Sequence, residues 1–394
     1  MKKFAKIIAL SVMVIFSTVL LTGCWDLIEL NSLGIVTGIG LDAAENKDEI
    51  NLILQVGITG QSTSSGNSSS NSGSTSKDTF INYEAMDKTY FSALSKIKQK
   101  MSRTPFLHDN QITVFGREQV ERGIAPYLDI FYREKDNRLE VWMVMADTTA
   151  KDILEAKIGP EKISALTLSN IIDNTAKVST NLATNFYNFL KGYIEPTTCL
   201  LMPIVKLVKT ETAEEYENSS MAVLKNTKLI GELDSNLIDG YLWVKGDIKQ
   251  KEISFQTEDK SVDLKLSKIK IKNTPTIEKD GTLCVQIDLK SKAIINSIQG
   301  FQNEQIDNYE KYFEGLATDK INKQISDCLL YVQSINADIY GIGTMYHKKM
   351  PKYWKTIEKD WDSIFPTIKF KTNIEVDIIA DGSIDGGILK EKLK

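Results

Sequence analysis

Histidine and cysteine are scarce in this chain, and the placement of the few removes several chemistries at once. Only His108 and His347 occur among 394 residues, with no Cys-x-x-Cys or His-x-x-x-His neighbour, so a structural zinc site has no support and no metal ligands are expected. The four cysteines stand at 24, 199, 284 and 328, too irregularly spaced for a disulfide framework. A G-x-S-x-G elbow, a P-loop and a His-Glu-x-x-His helix are also missing, which leaves hydrolase, NTPase and metalloprotease readings without a motif. No catalytic residue and no dissociable cofactor are therefore expected. There is no basic surplus either: 48 basic residues face 52 acidic ones for a formal charge of −4, whereas nucleic-acid binding needs a positive footprint. After residue 24 no apolar run is long enough to span a bilayer. What remains is 42% hydrophobic and 25% charged, an ordinary globular balance in a length that accommodates two or three domains.

The chain opens on Lys2, Lys3 and Lys6 followed by an uncharged stretch over residues 7–21, the layout of a secretory signal. That stretch closes on Leu21-Thr22-Gly23-Cys24, which resembles the lipobox of bacterial lipoproteins. The resemblance implies a signal peptide over 1–23, cleavage before Cys24 and a diacylglyceryl thioether on the Cys24 thiol. Thr22 and Gly23 are small enough for a peptidase to reach the backbone, and a thiolate is the soft nucleophile such an acceptor requires. Two acyl chains anchor a protein stably where one binds only marginally. An uncleaved anchor helix is the alternative, since no charge occurs before Asp26; Ser11, Ser17, Thr18, Thr22 and Gly23 weaken it. Cleavage would remove three lysines and leave 45 basic against 52 acidic residues, a charge of −7. Beside the anchor, Trp25, Asp26 and Glu29 are candidates for a partner contact, Asp26 and Glu29 reading equally well as a helix cap and a solvated charge.

Residues 24–205 read as an N-terminal α+β domain. Strands are expected over 33–41 and 50–58 around a polar turn. Gly38-Ile39-Gly40-Leu41-Asp42-Ala43 matches the dinucleotide fingerprint G-x-G-x-x-A, but a charged turn and another strand follow where that fingerprint must open a helix. From 59 to 76 every residue but Gln61 is Ser, Thr, Gly or Asn, so a disordered surface loop is expected. Strand character resumes over 80–86, Asp87 looks like a helix cap, and Tyr90, Leu94, Ile97 and Met101 fall on one helical face. A strand over 111–115, a helix over 118–133 interrupted near Gly123 and Pro126, a strand over 139–146 and a helix over 149–157 follow, suggesting a mixed sheet covered by helices.

A boundary is expected at 197–203, with 206–394 forming a C-terminal region of two lobes, 206–275 and 276–394. Strands over 220–224 and 228–232 flank Asn226-Thr227 as a hairpin. Apolar parity switches between Leu266 and Ile269, which a bulge near Ser267 reconciles. Leu283, Val285, Ile287 and Leu289 share one strand face, leaving Cys284 on the polar side. A long helix over 304–334 carries Ile306, Tyr309, Phe313, Leu316, Ile325, Cys328, Leu329 and Val332 near one stripe. A last strand presents Ile368, Phe370, Ile374, Val376 and Ile378. The expected class is α+β and multi-lobed, with mixed and antiparallel sheets, packed helices and one long helix in the C-terminal lobe.

Several stretches together resemble the C-subunit lipoproteins of spore germinant receptors, the Ger(x)C family. They are Gly23-Cys24-Trp25-Asp26-Leu27-Ile28-Glu29-Leu30-Asn31, Arg138-Leu139-Glu140-Val141-Trp142, Ala150-Lys151-Asp152-Ile153-Leu154, Gly231-Glu232-Leu233, Gly240-Tyr241-Leu242-Trp243 and Asp338-Ile339-Tyr340-Gly341-Ile342-Gly343. His347, Pro351, Trp354, Trp361, Phe365 and Pro366 complete the series. The resemblance covers nearly the whole chain, apart from the Ser-rich insertion. It implies a non-catalytic lipoprotein on the outer face of the inner spore membrane, acting with integral-membrane A and B subunits in the response to nutrient germinants. It leaves open whether this subunit touches a germinant. A solute-binding lipoprotein and a tethered envelope enzyme are the alternatives. Trp354 and Trp361, seven residues apart, read as one face of a helix in the core, and His347 has no nucleophile or metal partner in view.

Overall fold

The computed structural model describes residues 2–20, 29–58, 79–133, 138–159, 162–195, 197–210, 214–246, 248–256, 260–300 and 310–380. The Ser-rich stretch over 59–76, together with Cys24, Trp25, Asp26, Ile306 and Tyr309, lies outside them. Helix α1 (Lys2–Leu20) precedes the body. Among the described residues no helix is long and apolar enough to cross a membrane.

The body begins with β1 (Leu33–Ala43), β2 (Ile50–Gly57), β3 (Phe80–Asp87), α2 (Tyr90–Lys100), β4 (Thr104–Phe106) and β5 (Ile112–Phe115). It continues through α3 (Arg117–Arg122), α4 (Ala125–Arg133), β6 (Trp142–Ala146), α5 (Ala150–Glu155), α6 (Ser164–Val178) and α7 (Phe186–Ile194) to β7 (Leu200–Lys209), β8 (Glu214–Lys225) and β9 (Lys228–Leu233). These strands form one mixed sheet in the order β3-β2-β1-β5-β6-β7-β8-β9, with β4 beside the start of β1. Its middle, from β1 through β5 and β6 to β7, is parallel, because each of those strands returns through helices. Strands covered on both faces carry near-continuous apolar runs, and Ile112-Thr113-Val114-Phe115 and Met143-Val144-Met145-Ala146 are buried throughout. One face packs on α2, α3, α4 and α7 through Leu94, Ile97, Val120, Phe131 and Phe189. The other packs on α5 and α6 through Ile153, Leu154, Leu168 and Ile172.

The second sheet has the order β10-β11-β12-β13, built from β10 (Gln250–Gln256), β11 (Ser261–Ile277), β12 (Leu283–Gln299) and β13 (Lys369–Ala380). Helices α8 (Ser235–Lys245), α9 (Glu310–Ser334), α10 (Ile342–Lys349), α11 (Pro351–Ile357) and α12 (Trp361–Ile364) cover it. Leu264, Val285, Ile287, Phe313, Ile325 and Val376 share this core with Met221, Val223 and Leu233 of β8 and β9. The first sheet therefore runs on past residue 205, and β11 pairs with β12 across residue 275. Neither sequence boundary falls at a sheet edge, because hydrogen-bonded ladders cross both.

The fold class is the expected α+β one, with differences in detail. Thr89, not Asp87, caps α2: its hydroxyl accepts from the Ser92 N–H, while Asp87 ends β3 and pairs with Lys96 at 2.9 Å. Residues 139–140 form a turn, so β6 starts only at Trp142. The bulge near Ser267 is present as a register shift between Ser267 and Lys270, with Lys268 at a φ of 51°. Asn226 and Thr227 both take positive φ, 50° and 65°, the backbone a two-residue hairpin turn requires. Cys284 is 2% exposed, although its alternation predicted the polar side. It sits on a central strand, paired with Thr276 on one side and Lys369 on the other. Leu316 is half-buried against the core rather than central to it. Gly38 and Gly40 lie inside β1, where a Cβ would come within 2.5 Å of Ala165 Cβ and 3.0 Å of Leu154 Cδ1 respectively. Those glycines admit helices α5 and α6, and no helix opens after them.

Candidate functional site

Of the four residues expected at the anchor, the structure describes Glu29. It is exposed, and its carbonyl oxygen accepts the Ser32 N–H and hydroxyl at 2.9 and 2.7 Å, starting the short turn that delivers the chain into β1. The backbone of Glu29 thus has a capping role at the body's entrance and its side chain faces solvent.

The other stretches that carry the resemblance gather where the first sheet meets the C-terminal helices. Asp338 precedes α10 and is 3% exposed. Its two carboxylate oxygens accept the N–H groups of Ile342 and Gly343 at 2.8 and 2.9 Å, while its carbonyl accepts the Cys199 N–H at 2.9 Å. Burial pushes this carboxyl up to about 6, against the opposing pull of the Gly343, Ile342 and Gly341 amides and of Lys245. Gly341 takes a φ of 71°, a left-handed conformation that glycine adopts without penalty, and a Cβ on Gly343 would lie 2.4 Å from Thr197 Oγ1. Tyr340 stacks on Tyr241 with ring centroids 5.7 Å apart and donates its hydroxyl to the Cys328 sulfur at 3.1 Å. Asp338-Ile339-Tyr340-Gly341-Ile342-Gly343 is therefore a joint that ties α10, α9, α8 and the start of β7 together.

Gly240 marks the closest approach of α8 to α9, and Trp243 Nε1 donates to Gln324 Oε1 across that crossing at 2.9 Å. Gly231 packs beneath Tyr331, whose hydroxyl accepts the Glu232 N–H at 3.0 Å. The Glu232 carboxylate in turn meets the Arg117 guanidinium, which also pairs with Asp147. Arg117 carries no local sequence signal. Its partners lie 30 and 115 residues away, beyond the reach of any local pattern.

Beside the joint is a cleft of about 260 Å³ lined by Glu195, Thr198, Lys225, Asn226, Lys359 and Asp362, among others. Lys225 is already engaged there, with Asp362 and with the Asn336 carbonyl, at 2.8 and 2.9 Å. Burial pushes the Cys199 and Cys328 thiols up to about 12, so neither is a nucleophilic thiolate at neutral pH. Among the described residues no group of His, Cys, Asp and Glu could hold a metal ion. Trp354 and Trp361 are core, as expected, with ring centroids 5.1 Å apart. They belong to two short helices, α11 and α12, separated by a single 3₁₀ turn, rather than to one helix. His347 is exposed in the last turn of α10 and its ring stacks on Trp354 at 6.0 Å. Replacing it by Ala removes one exposed stacking contact, so the loss of stability should stay within about 1 kcal/mol. Spores carrying His347→Ala should germinate appreciably, and complete loss of germination at normal protein level would give this side chain a role the geometry does not.

Comparison with known proteins identifies the architecture. Residues 26–207 match the spore germination protein N-terminal domain, and residues 219–382 match the spore germination B3/GerAC-like C-terminal domain. Spore germination protein YndF of Bacillus subtilis is 23% identical over 95% of this chain and 96% of its own length. Spore germination protein B3 of the same organism is 22% identical over 94% of this chain and 96% of its own. The crystal structure of the GerBC protein superposes with a TM-score of 0.57 at 18% identity, covering 90% of this chain and all of that one. Two domain matches in order along most of the chain, and a solved fold that agrees with them, place this protein in the Ger(x)C family of spore germination proteins.

Proposed function

We propose that the protein is a non-catalytic subunit of a spore germinant receptor, tethered by a diacylglyceryl group on Cys24 to the outer face of the inner spore membrane and acting there with integral-membrane A and B subunits. The observation that carries this reading is the match of both family domains behind a lipobox-like Leu21-Thr22-Gly23-Cys24. The geometry described above supports it: the polar groups at the joint are consumed by helix capping and ion pairing. Trp25, Asp26 and Glu29, next to the anchor, are the residues placed to meet a membrane partner.

Two measurements test it. The mass of the mature N-terminus, together with labelling by a tagged fatty acid, should show the wild-type chain beginning at a diacylated Cys24. Cys24→Ala should take no label and should retain residues 1–23, since lipid addition precedes cleavage; most germination response should be lost, because the uncharged segment over residues 7–21 is shorter than the roughly 20 residues a spanning helix needs. A wild-type chain that begins elsewhere, or carries no lipid, would remove the tether. Affinity capture of the tagged protein from detergent-solubilised spore membranes should recover permease-like A and B partners.

A further inference from the structure

A lipid on Cys24 would hold the body at a bilayer without saying which side of it faces the lipid. The structure favours one corner. Parallel pairing of Leu33 with Thr104 and Gly34 with Pro105 holds the start of β1 beside the C-terminal end of α2. A Cβ on Gly34 would lie 2.9 Å from Met101 Cε and 3.7 Å from Arg103 Cβ, so the two segments touch. Between them runs a groove of about 450 Å³ lined by Asn31, Ser32, Lys98, Met101, Arg103 and Pro105, among others.

Charge is distributed unevenly around this groove. From residue 88 to residue 103 the chain has five basic side chains, Lys88, Lys96, Lys98, Lys100 and Arg103, and no acidic one, in a body that is net acidic. Lys96 pairs with Asp87 at 2.9 Å, and Lys100 donates to the Glu84 carbonyl oxygen at 2.7 Å. Lys98 and Arg103 are exposed at the groove itself, Arg103 while also engaged within the protein. Ile81, 45% exposed, shares the parity of Tyr83 and Ala85 and so lies on the face of β3 that α2 covers. Exposed cations, with an exposed branched apolar side chain on the strand that α2 packs against, suit the headgroup level of a membrane, where charge meets phosphate and an apolar tip enters the acyl boundary.

We propose that this corner is the surface the protein lays on an anionic phospholipid bilayer, with Lys98 and Arg103 among the phosphodiester headgroups. The proposal rests on the Cys24 tether for distance alone: residues 24–28, at no more than about 3.6 Å each, keep Glu29 within roughly 18 Å of the lipid. The basic corner adjoins the point where that tether enters the body. Each basic residue near an anionic leaflet changes binding roughly fivefold, enough for the corner to set the body's orientation once the lipid has set its location.

Among the described residues the buried core begins at Leu33, so the chain from residue 24 with Cys24→Ser carries all of it and can be assayed without a lipid. Flotation with vesicles should show binding to membranes containing phosphatidylglycerol and none to pure phosphatidylcholine, with release as added salt shortens the screening length. Lys98→Gln with Arg103→Gln should lower the partition coefficient more than tenfold at an unchanged melting temperature. Lys270→Gln with Lys272→Gln, exposed on the second sheet, should leave it unaltered. Equal binding by the Lys98/Arg103 variant, an equal loss in the Lys270/Lys272 control, or displacement by millimolar inorganic phosphate would each overturn the proposal, the last by revealing a discrete phosphate site. Failure of the tether itself would be read separately, from the N-terminal mass and fatty-acid label.

Discussion

Gly240→Val should unfold the C-terminal half of the protein more readily than any other single change at a small residue there. A Cβ at this position would stand 2.1 Å from the Gln324 carbonyl oxygen and 2.6 Å from Cys328 Cβ. The first of these is backbone, so no rotamer change relieves it and α8 must move away from α9. Overpacking of this kind costs about 1–3 kcal/mol. The same movement breaks the buried Trp243–Gln324 hydrogen bond, and leaving its donor unsatisfied adds about 1–3 kcal/mol. A loss of about 4 kcal/mol corresponds to a fall in melting temperature on the order of 10 °C for a unit of this size, measurable by calorimetry. Gly315, on the partner helix α9, gives the contrast. A Cβ there meets nothing within 4 Å, so Gly315→Ala should raise stability by up to about 1 kcal/mol through helix propensity alone. Equal melting temperatures for the two variants would show that α8 and α9 do not touch at Gly240.

Asp338→Ala should be nearly as damaging, for an electrostatic reason. It removes both acceptors of the Ile342 and Gly343 amides in a site almost sealed from water, at about 1–3 kcal/mol for each orphaned donor, and α10 loses its clamp to β7. Asp338→Asn keeps the shape and one acceptor and should cost roughly half as much. The carboxyl also gives the fold a definite pH response. Burial raises it from its ordinary 3.8 to about 6, so the folded state takes up the proton more readily than the unfolded chain. The stabilisation from that proton is fully present below about pH 4 and is lost as the pH climbs through about 6. The stability of wild type relative to Asp338→Asn should accordingly decrease from acid to neutral pH in denaturant titrations, a trend confined to this window. A wild-type advantage that grew with pH would mean the carboxylate, rather than the acid, is the form the joint prefers.

Most of the elements were legible because their side chains answer to nearby residues. The Ser267 bulge followed from a parity switch between Leu266 and Ile269, and the turn at Asn226-Thr227 from a polar dipeptide between two apolar runs. Thr89 and Asp87, two residues earlier, satisfy the same local rule for a cap; only the path of the chain out of β3 decides between them. Cys284 went astray for a different reason: alternation tells which face a residue takes, whereas its cover depends on what the neighbouring strands place beside it. The stretches carrying the family resemblance were visible as strings. Their physical role was not, because Gly240 is defined by Gln324, Gly343 by Thr197 and Glu232 by Arg117, all far away in the chain. Glu29 reads as a solvated charge as well as it does a contact, and its side chain is exposed; the basic corner beside it carries no local signal, since Lys98 and Arg103 acquire meaning only when β4 brings them to the start of β1.

The joint between the two family domains is a ladder of main-chain hydrogen bonds. β7 belongs to the N-terminal match and β8 falls largely within the C-terminal one, yet they pair from Leu200 with Leu224 to Lys209 with Glu214. Domains in one chain ordinarily meet through side chains and can rock against each other. Here a tilt imposed at the start of β1 is handed from strand to strand to β9, and from there through Met221, Val223 and Leu233 into the second core. Among the described residues the ladder leaves no unpaired elbow between β7 and β8. A chimera that exchanged halves between relatives at residues 208–218 would have to match strand register as well as surface, and a mismatch would appear as a loss of stiffness before any loss of secondary structure.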